Sequence, residues 1–377
     1  MSCQLAVVSG QLSEVNSSDY KVLHNSQLTI HYSQMVIAVD IRLIEEYQNF
    51  IHETFKRITA QHPQHSFIFI FDKPYDLSFV FSENVIPAIV QPRKIELLSK
   101  IRNDHRISSL LKKHNAEVFV TSQSLLQTKI PQCLIASDKS TSKYLKKAKV
   151  IITESEFSKK KIIEEYKIDE NKIDVVYKAV DEIFQSILFE EKEKIKEKHA
   201  AGNEYFLFTG KVGLDNLLNV LKAFSVFKKL QKSNMKLLIA SQNEMTKEIL
   251  EMLRFYKYKS EVKILDVDKK TLATITGAAY AVVCPFSHHG YSHSLEAMQC
   301  DVPVLTSNAG CMPEVCGDAA LFLDHNNYKD IADKMMVIYK DEKLRQQLLD
   351  KGKEQIKKYS WDKTAELLWE SIEKARR

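Results

Sequence analysis

The chain has 377 residues, 44% of them hydrophobic, and its 54 basic side chains against 49 acidic ones give a net charge of +5. That length and apolar content suit two domains with separate cores, while the small charge bias, with lysines interleaved among glutamates as in EEKEKIKEKH, comes with no nucleic-acid motif. Cys3, Cys133, Cys284, Cys300, Cys311 and Cys316 show no paired spacing, no run of about eighteen apolar residues occurs, and MSCQLAVVSGQL lacks a basic segment leading into a long apolar one, so a disulfide framework, a membrane span and a signal peptide are not expected and a reducing cytoplasm is.

Residues 1–35 contain two short alternating segments, LAVVS and LTIHY, and form an N-terminal extension with the makings of extra strands or a hairpin. Over residues 36–183 the runs VIAVDI, FIFIFD, AEVFVTS, QCLIAS, VIITES and IDVVY read as strands, with helices over 43–60, 92–114 and 156–166 among those between them. A second series follows over 184–359. Its strands are YFLFTG, KLLIAS, VKILD, AVVCPF and VPVLTS, alternating with helices over 214–230, 245–256, 269–279, 295–300 and 327–339. Apolar strands separated by helical patterns indicate parallel sheets covered on both faces, so the fold class is α/β, with two doubly wound Rossmann-like domains joined near 183–203. Residues 360–377 read as an amphipathic helix with Ser360 as its N-cap and Leu367, Leu368 and Ile372 on its apolar side.

The stretch from Cys284 to Asp324, CPFSHHGYSHSLEAMQCDVPVLTSNAGCMPEVCGDAALFLD, is the most informative. It passes from a buried strand ending at Phe286 through a polar loop over 287–294 to a short helix and the strand beginning at Val302. The free N–H groups and dipole at the start of such a helix favour a bound anion. Glu296 has two readings from its residue type alone: a carboxylate accepting hydrogen bonds from adjacent hydroxyls, or an acid answering the helix dipole. His288, His289 and His293, with Cys284 upstream, lack the clean ligand spacing of a zinc site, so a polar loop and no metal are expected.

SLEAMQCDVPVLTSNAGCMPEVCGDAALFLD resembles the C-terminal signature of retaining glycosyltransferases of family 4, which have the two-domain GT-B architecture. The likeness extends upstream over residues 151–184 and downstream over 341–377, with a weaker match over 37–58. The resemblance implies two domains facing across a cleft, with residues 360–377 crossing back to the N-terminal one. It implies transfer of a sugar, with retention, from a nucleotide-sugar donor to a glycan or lipid-linked acceptor, with no metal and no cofactor beyond the donor itself. It also implies that Glu296 holds the nucleotide ribose, and that Asn308, Gly310 and Glu314 lie on loops facing nucleotide and sugar. Glu314 is in addition placed to cap the helix beginning near Pro313.

Four departures from the family pattern fall at four site elements. The family's first acidic residue is replaced by His288, or by His289 if one residue is deleted, the latter register aligning Gly290 and Tyr291 with a Gly-aromatic pair ahead of Ser292. The loop after YFLFTG is short, leaving Lys211 as the candidate to neutralise the diphosphate. The N-terminal domain has no glycine-rich loop after its first strand, where Arg42 remains to meet a phosphate or acceptor or to form a structural ion pair. The segment ASDKSTS, with Asp138 and Lys139, has no histidine. Two functions are therefore carried forward: a sugar transferase, and a catalytically degenerate relative acting as a binding or scaffold protein. The basic runs KYLKKAK and SKKKIIEEYK offer contact with an anionic membrane at its inner face or with an anionic lipid-linked acceptor.

Overall fold

The computed structural model describes residues 34–42, 48–72, 77–90, 99–123, 125–136, 140–210, 214–241, 246–286 and 291–377. The extension expected over 1–35 lies, apart from its last two residues, outside them.

The first sheet contains, in chain order, β1 (Val36–Asp40), β2 (Ser66–Phe71), β3 (Val85–Ile89), β4 (Val118–Thr121), β5 (Gln132–Ile135), β6 (Val150–Thr153) and β7 (Ile173–Val175). All pairings are parallel and the order is β3-β2-β1-β4-β5-β6-β7. The connecting helices are α1 (Gln48–Gln61), α2 (Ser99–Lys113), α3 (Ser142–Lys147) and α4 (Glu156–Tyr166). Sheets with helices on both faces bury both sides of each central strand, and this is why SFIFIF and VFVT read as unbroken apolar runs.

The second sheet follows α5 (Phe189–Ala200). It contains β8 (Tyr205–Thr209), β9 (Lys236–Ser241), β10 (Val262–Asp266), β11 (Ala281–Cys284), β12 (Val304–Ser307) and β13 (Ala320–Leu323), again all parallel, in the order β10-β9-β8-β11-β12-β13. Its helices are α6 (Leu214–Gln231), α7 (Lys247–Arg254), α8 (Lys269–Gly277), α9 (Tyr291–Gln299), α10 (Met312–Cys316), α11 (Tyr328–Lys340) and α12 (Glu342–Ile356). The architecture is thus two Rossmann-like domains of the GT-B type. In each, strand order reverses direction beside the first strand, and in such sheets ligands bind outside the carboxyl ends of the strands at that switch point.

Two strands escape the sequence reading, β3 and β13, and both are sheet edges. An edge strand is covered on fewer sides, and Ile86 and Ile89 are exposed; both runs, VIPAI and ALFL, are apolar but short, and a short apolar run does not by itself separate strand from helix. Pro87 also sits in β3, where a missing N–H is tolerated because, among the described residues, the outer edge has no partner strand to bond.

The last helix, α13 (Trp361–Arg376), begins as its sequence suggests: the Ser360 hydroxyl accepts from the Lys363 N–H. Its apolar stripe packs on the first sheet. Trp361, Ala365, Leu368, Trp369 and Ile372 share a core with Ile37, Val39, Phe55, Val118 and Ile152. Trp361 Nε1 donates to the Val180 carbonyl at 3.0 Å and Thr364 Oγ1 to the Tyr177 carbonyl at 2.8 Å. Among the described residues no helix is long and apolar enough to cross a membrane.

Candidate functional site

The candidate donor side is built at the carboxyl ends of β8, β11 and β12. The sequence places a polar loop over 287–294, but α9 begins at Tyr291. The reason is burial. Tyr291 and Ser294 are both covered, and Ser294 Oγ reaches Thr306 Oγ1 at 3.4 Å, which in turn donates to the Cys284 carbonyl at 3.1 Å. One chain of hydroxyls thus ties the start of α9 to β11 and β12. Glu296 lies in the second turn, so it is not an acid at the helix start; its Oε2 is 2.8 Å from His293 Nδ1, one turn earlier. Burial works against the His293 charge, but the Glu296 carboxylate, by its own charge and hydrogen bond, holds the imidazole above the usual histidine value.

Gly210, directly after β8, completes this wall. Its φ is +119°, and a Cβ there would lie 2.9 Å from Phe286 Cε2 and 3.0 Å from His293 Cδ2. Only a glycine allows the backbone both that conformation and that approach. The turn after β12 is fixed by the Ser307 hydroxyl, which accepts from the Ala309 N–H at 3.1 Å and pairs with His325 Nδ1 at 3.1 Å, while the Asn308 N–H reaches the Leu323 carbonyl. Gly310 follows with φ of +66°. Asn308 is exposed and Ser292 partly so.

Glu314, at the start of α10, does not cap its own helix. Its two carboxylate oxygens accept from the backbone N–H groups of Glu156 at 2.7 Å and Phe157 at 2.9 Å, the free amides at the start of α4 in the other domain. The Tyr177 hydroxyl donates to the same carboxylate at 2.6 Å. Close by, the Lys178 N–H donates to the Tyr291 hydroxyl at 2.9 Å. Burial, and for Tyr177 also the adjacent Glu314, pushes both phenols upward, keeping them neutral. The carboxyl ends of β6 and β12 therefore face each other, joined by a carboxylate seated on a helix N-terminus.

On the N-terminal side, Arg42 follows the carboxyl end of β1 and forms a two-pronged pair with buried Asp40, Nε to Oδ1 at 2.7 Å and Nη2 to Oδ2 at 2.8 Å. Burial opposes the guanidinium charge, but Asp40, with Asp104 and Asp72 beyond, binds its proton more tightly than usual. Thr121 Oγ1 also donates to Asp40, at 3.3 Å.

Glu296, Tyr291, Ser292, Asn308 and Gly310 thus gather at the carboxyl edge of the second sheet; Glu314 bridges the domains and Arg42 pairs within the first. Lys211, His288, His289 and Gly290, and with them Asp138 and Lys139, lie outside the described residues. Among the described residues no group of three His, Cys, Asp or Glu side chains is arranged to hold a metal ion. Gly210, Tyr177 and the pairing of His293 with Glu296 are what sequence reasoning missed. The spacing of three between His293 and Glu296 was a usable signal once the helix start was known.

The family pattern described as glycosyl transferases group 1 matches residues 189–355. This chain is a GT-B-fold protein related to the group 1 glycosyltransferases. Its sequence is 26% identical over 230 residues to the O-antigen chain mannosyltransferase B of Escherichia coli, covering 60% of each chain. It is 26% identical over 232 residues to the capsular polysaccharide biosynthesis glycosyltransferase CapM of Staphylococcus aureus, covering 59% of this chain and 60% of that one. The chain thus spans about 60% of the length of these curated relatives. In fold it is similar to a glycosyltransferase from Rickettsia africae, with a TM-score of 0.75 at 16% identity over 91% of this chain and 99% of that one. It is likewise similar to the Anabaena protein HepE solved with UDP and glucose, with a TM-score of 0.71 at 10% identity over 90% of this chain and 100% of that one.

Proposed function

We propose that the protein transfers a sugar from a nucleotide-sugar donor, with retention at the anomeric carbon, to a glycan or lipid-linked acceptor. The observation that carries this reading is Glu296 held by His293 at the carboxyl edge of β8 and β11, where a doubly wound sheet takes its ligands. Relatives named as a mannosyltransferase and a capsular polysaccharide glycosyltransferase, and a structural neighbour solved with UDP and glucose, support the donor class. In this reading Glu296 grips the ribose, the turn from Asn308 to Gly310 borders the sugar, and Lys211 meets the diphosphate. Lys143, Lys146, Lys147 and Lys149 are exposed on and just after α3, a cationic surface suited to an anionic lipid-linked acceptor or the membrane that carries it.

One observation favours the rival reading of a binding or scaffold protein without turnover. Glu314 and Arg42 are both engaged by partners within the chain, the α4 N-terminus and Asp40. Calorimetric titration with UDP, GDP, ADP and common sugar nucleotides, on the wild type and on Glu296→Ala, tests the donor site. Saturable binding weakened by the substitution supports it, and donor hydrolysis or transfer assays then separate enzyme from scaffold. Absence of binding to every nucleotide would remove the transferase reading.

A further inference from the structure

We propose that His293 is the positioning residue for the nucleotide ribose: it fixes the Glu296 carboxylate in the orientation that a vicinal diol needs. The inference rests on the donor-site reading of Glu296 and adds a residue to it.

A glutamate side chain has three rotatable bonds, and ordering it on binding a ligand costs affinity. Here that ordering is already present. Oε2 is held at 2.8 Å by His293 Nδ1. Two carboxylate oxygens offer about four lone-pair sites, so one hydrogen bond from His293 leaves both oxygens able to accept from a pair of adjacent hydroxyls. Glu296 and His293 both remain partly exposed, so the pair is open to a ligand.

The histidine ring lies close to the backbone that leaves β8. Its Cδ2 edge lies where a Cβ on Gly210 would approach to 3.0 Å, and Phe286 fills the adjoining space. The residue next to it, Ser294, is tied through Thr306 to the Cys284 carbonyl. The sheet therefore sets α9, Gly210 and α9 set the His293 ring, and the ring sets the carboxylate. Each link sits on a strand end or helix, a more precise support for a site than a free loop. A histidine serving only to fill space would need no donor facing Glu296.

The test uses the full-length chain and four probes, UDP, GDP and their 2′,3′-dideoxy counterparts, titrated by calorimetry. Wild type is expected to favour the ribose form of whichever base it binds, and Glu296→Gln to lose that preference. His293→Leu is expected to cut the preference roughly ten-fold, the scale of one charge-assisted hydrogen bond, while binding of the dideoxy form is unchanged. His293→Asn, whose amide can still donate, is expected to keep most of it. If His293→Leu does not fold, His293→Phe, which keeps a ring but has no donor, carries the same comparison. A preference that survives in both donor-less variants overturns the inference and leaves the reading of Glu296 standing, and equal weakening of both forms assigns His293 to packing and also overturns it. A wild type that binds none of the probes, or shows no ribose preference, overturns that reading and the inference together.

Discussion

The Tyr177 hydroxyl, in the segment after β7, donates a 2.6 Å hydrogen bond to the Glu314 carboxylate on α10 of the other domain. The same carboxylate receives the first two free amides of α4. A helix N-terminus stabilises a nearby anion through its unpaired N–H groups and its dipole, and here the anion is supplied by the facing domain. Glu314→Gln removes the charge and one acceptor oxygen, and is expected to destabilise the chain by about 1–3 kcal/mol. Hydrogen exchange should accelerate at the amides of Glu156 and Phe157. Unchanged protection there, with weakened nucleotide binding, would instead place Glu314 on the donor.

Gly210 is the second sensitive point. Any other residue at φ of +119° is strained, and its Cβ would press on Phe286 and His293. Gly210→Ala is expected to cost roughly 1–3 kcal/mol of stability and to lower nucleotide affinity, because His293 must give way. A thermal melt and a UDP or GDP titration of one sample check both. An affinity that is unchanged despite lowered stability would show that the wall does not reach the ligand.

The doubly wound architecture was legible because central parallel strands are buried on both faces and so spell continuous apolar runs, such as YFLFT in β8. The edges β3 and β13 were not, although VIPAI and ALFL are apolar throughout: Pro87 argues against a strand in the first, and so short an apolar run as the second does not separate strand from helix. The start of α9 was hidden for a different reason: Tyr291, Ser292, His293 and Ser294 read as polar, while Tyr291 and Ser294 are buried and meet Lys178 and Thr306, neither of them a sequence neighbour. Glu296 could be singled out from its motif. The partner of Glu314, 158 residues away at Glu156, follows from the packing of two domains and leaves no local trace.

The terminal helix contributes to the core of the first domain. Leu368 is fully buried among residues of β1, β4 and α1. Leu368→Ala leaves a cavity between α13 and the sheet and is expected to cost about 2–5 kcal/mol. Denaturant titration measures it, and a loss well below this range would mean that α13 is not integral to that core.

Acid should act at the same seam. The His62 ring stacks on Trp369 of α13, with centroids 3.8 Å apart and planes 18° from parallel. Burial, aided by nearby His65, lowers its pKa from 6.5 to about 4. His65 is also lowered, chiefly by burial, and its Nδ1 accepts from the Met35 N–H, a bond that a proton on that nitrogen would abolish. The unfolded chain protonates His62 near 6.5, whereas the folded chain resists until about 4, so between these values the unfolded state binds more protons. Stability is therefore complete above the unfolded value and falls as the pH drops through this window. Thermal melts followed by tryptophan fluorescence should show the midpoint declining from pH 6.5 towards pH 4. His62→Phe, which keeps a ring against Trp369 but cannot take a proton, should flatten part of that decline, whereas carboxylates titrating in the same range act equally on both proteins. A decline of equal depth in the variant would remove His62 as its source.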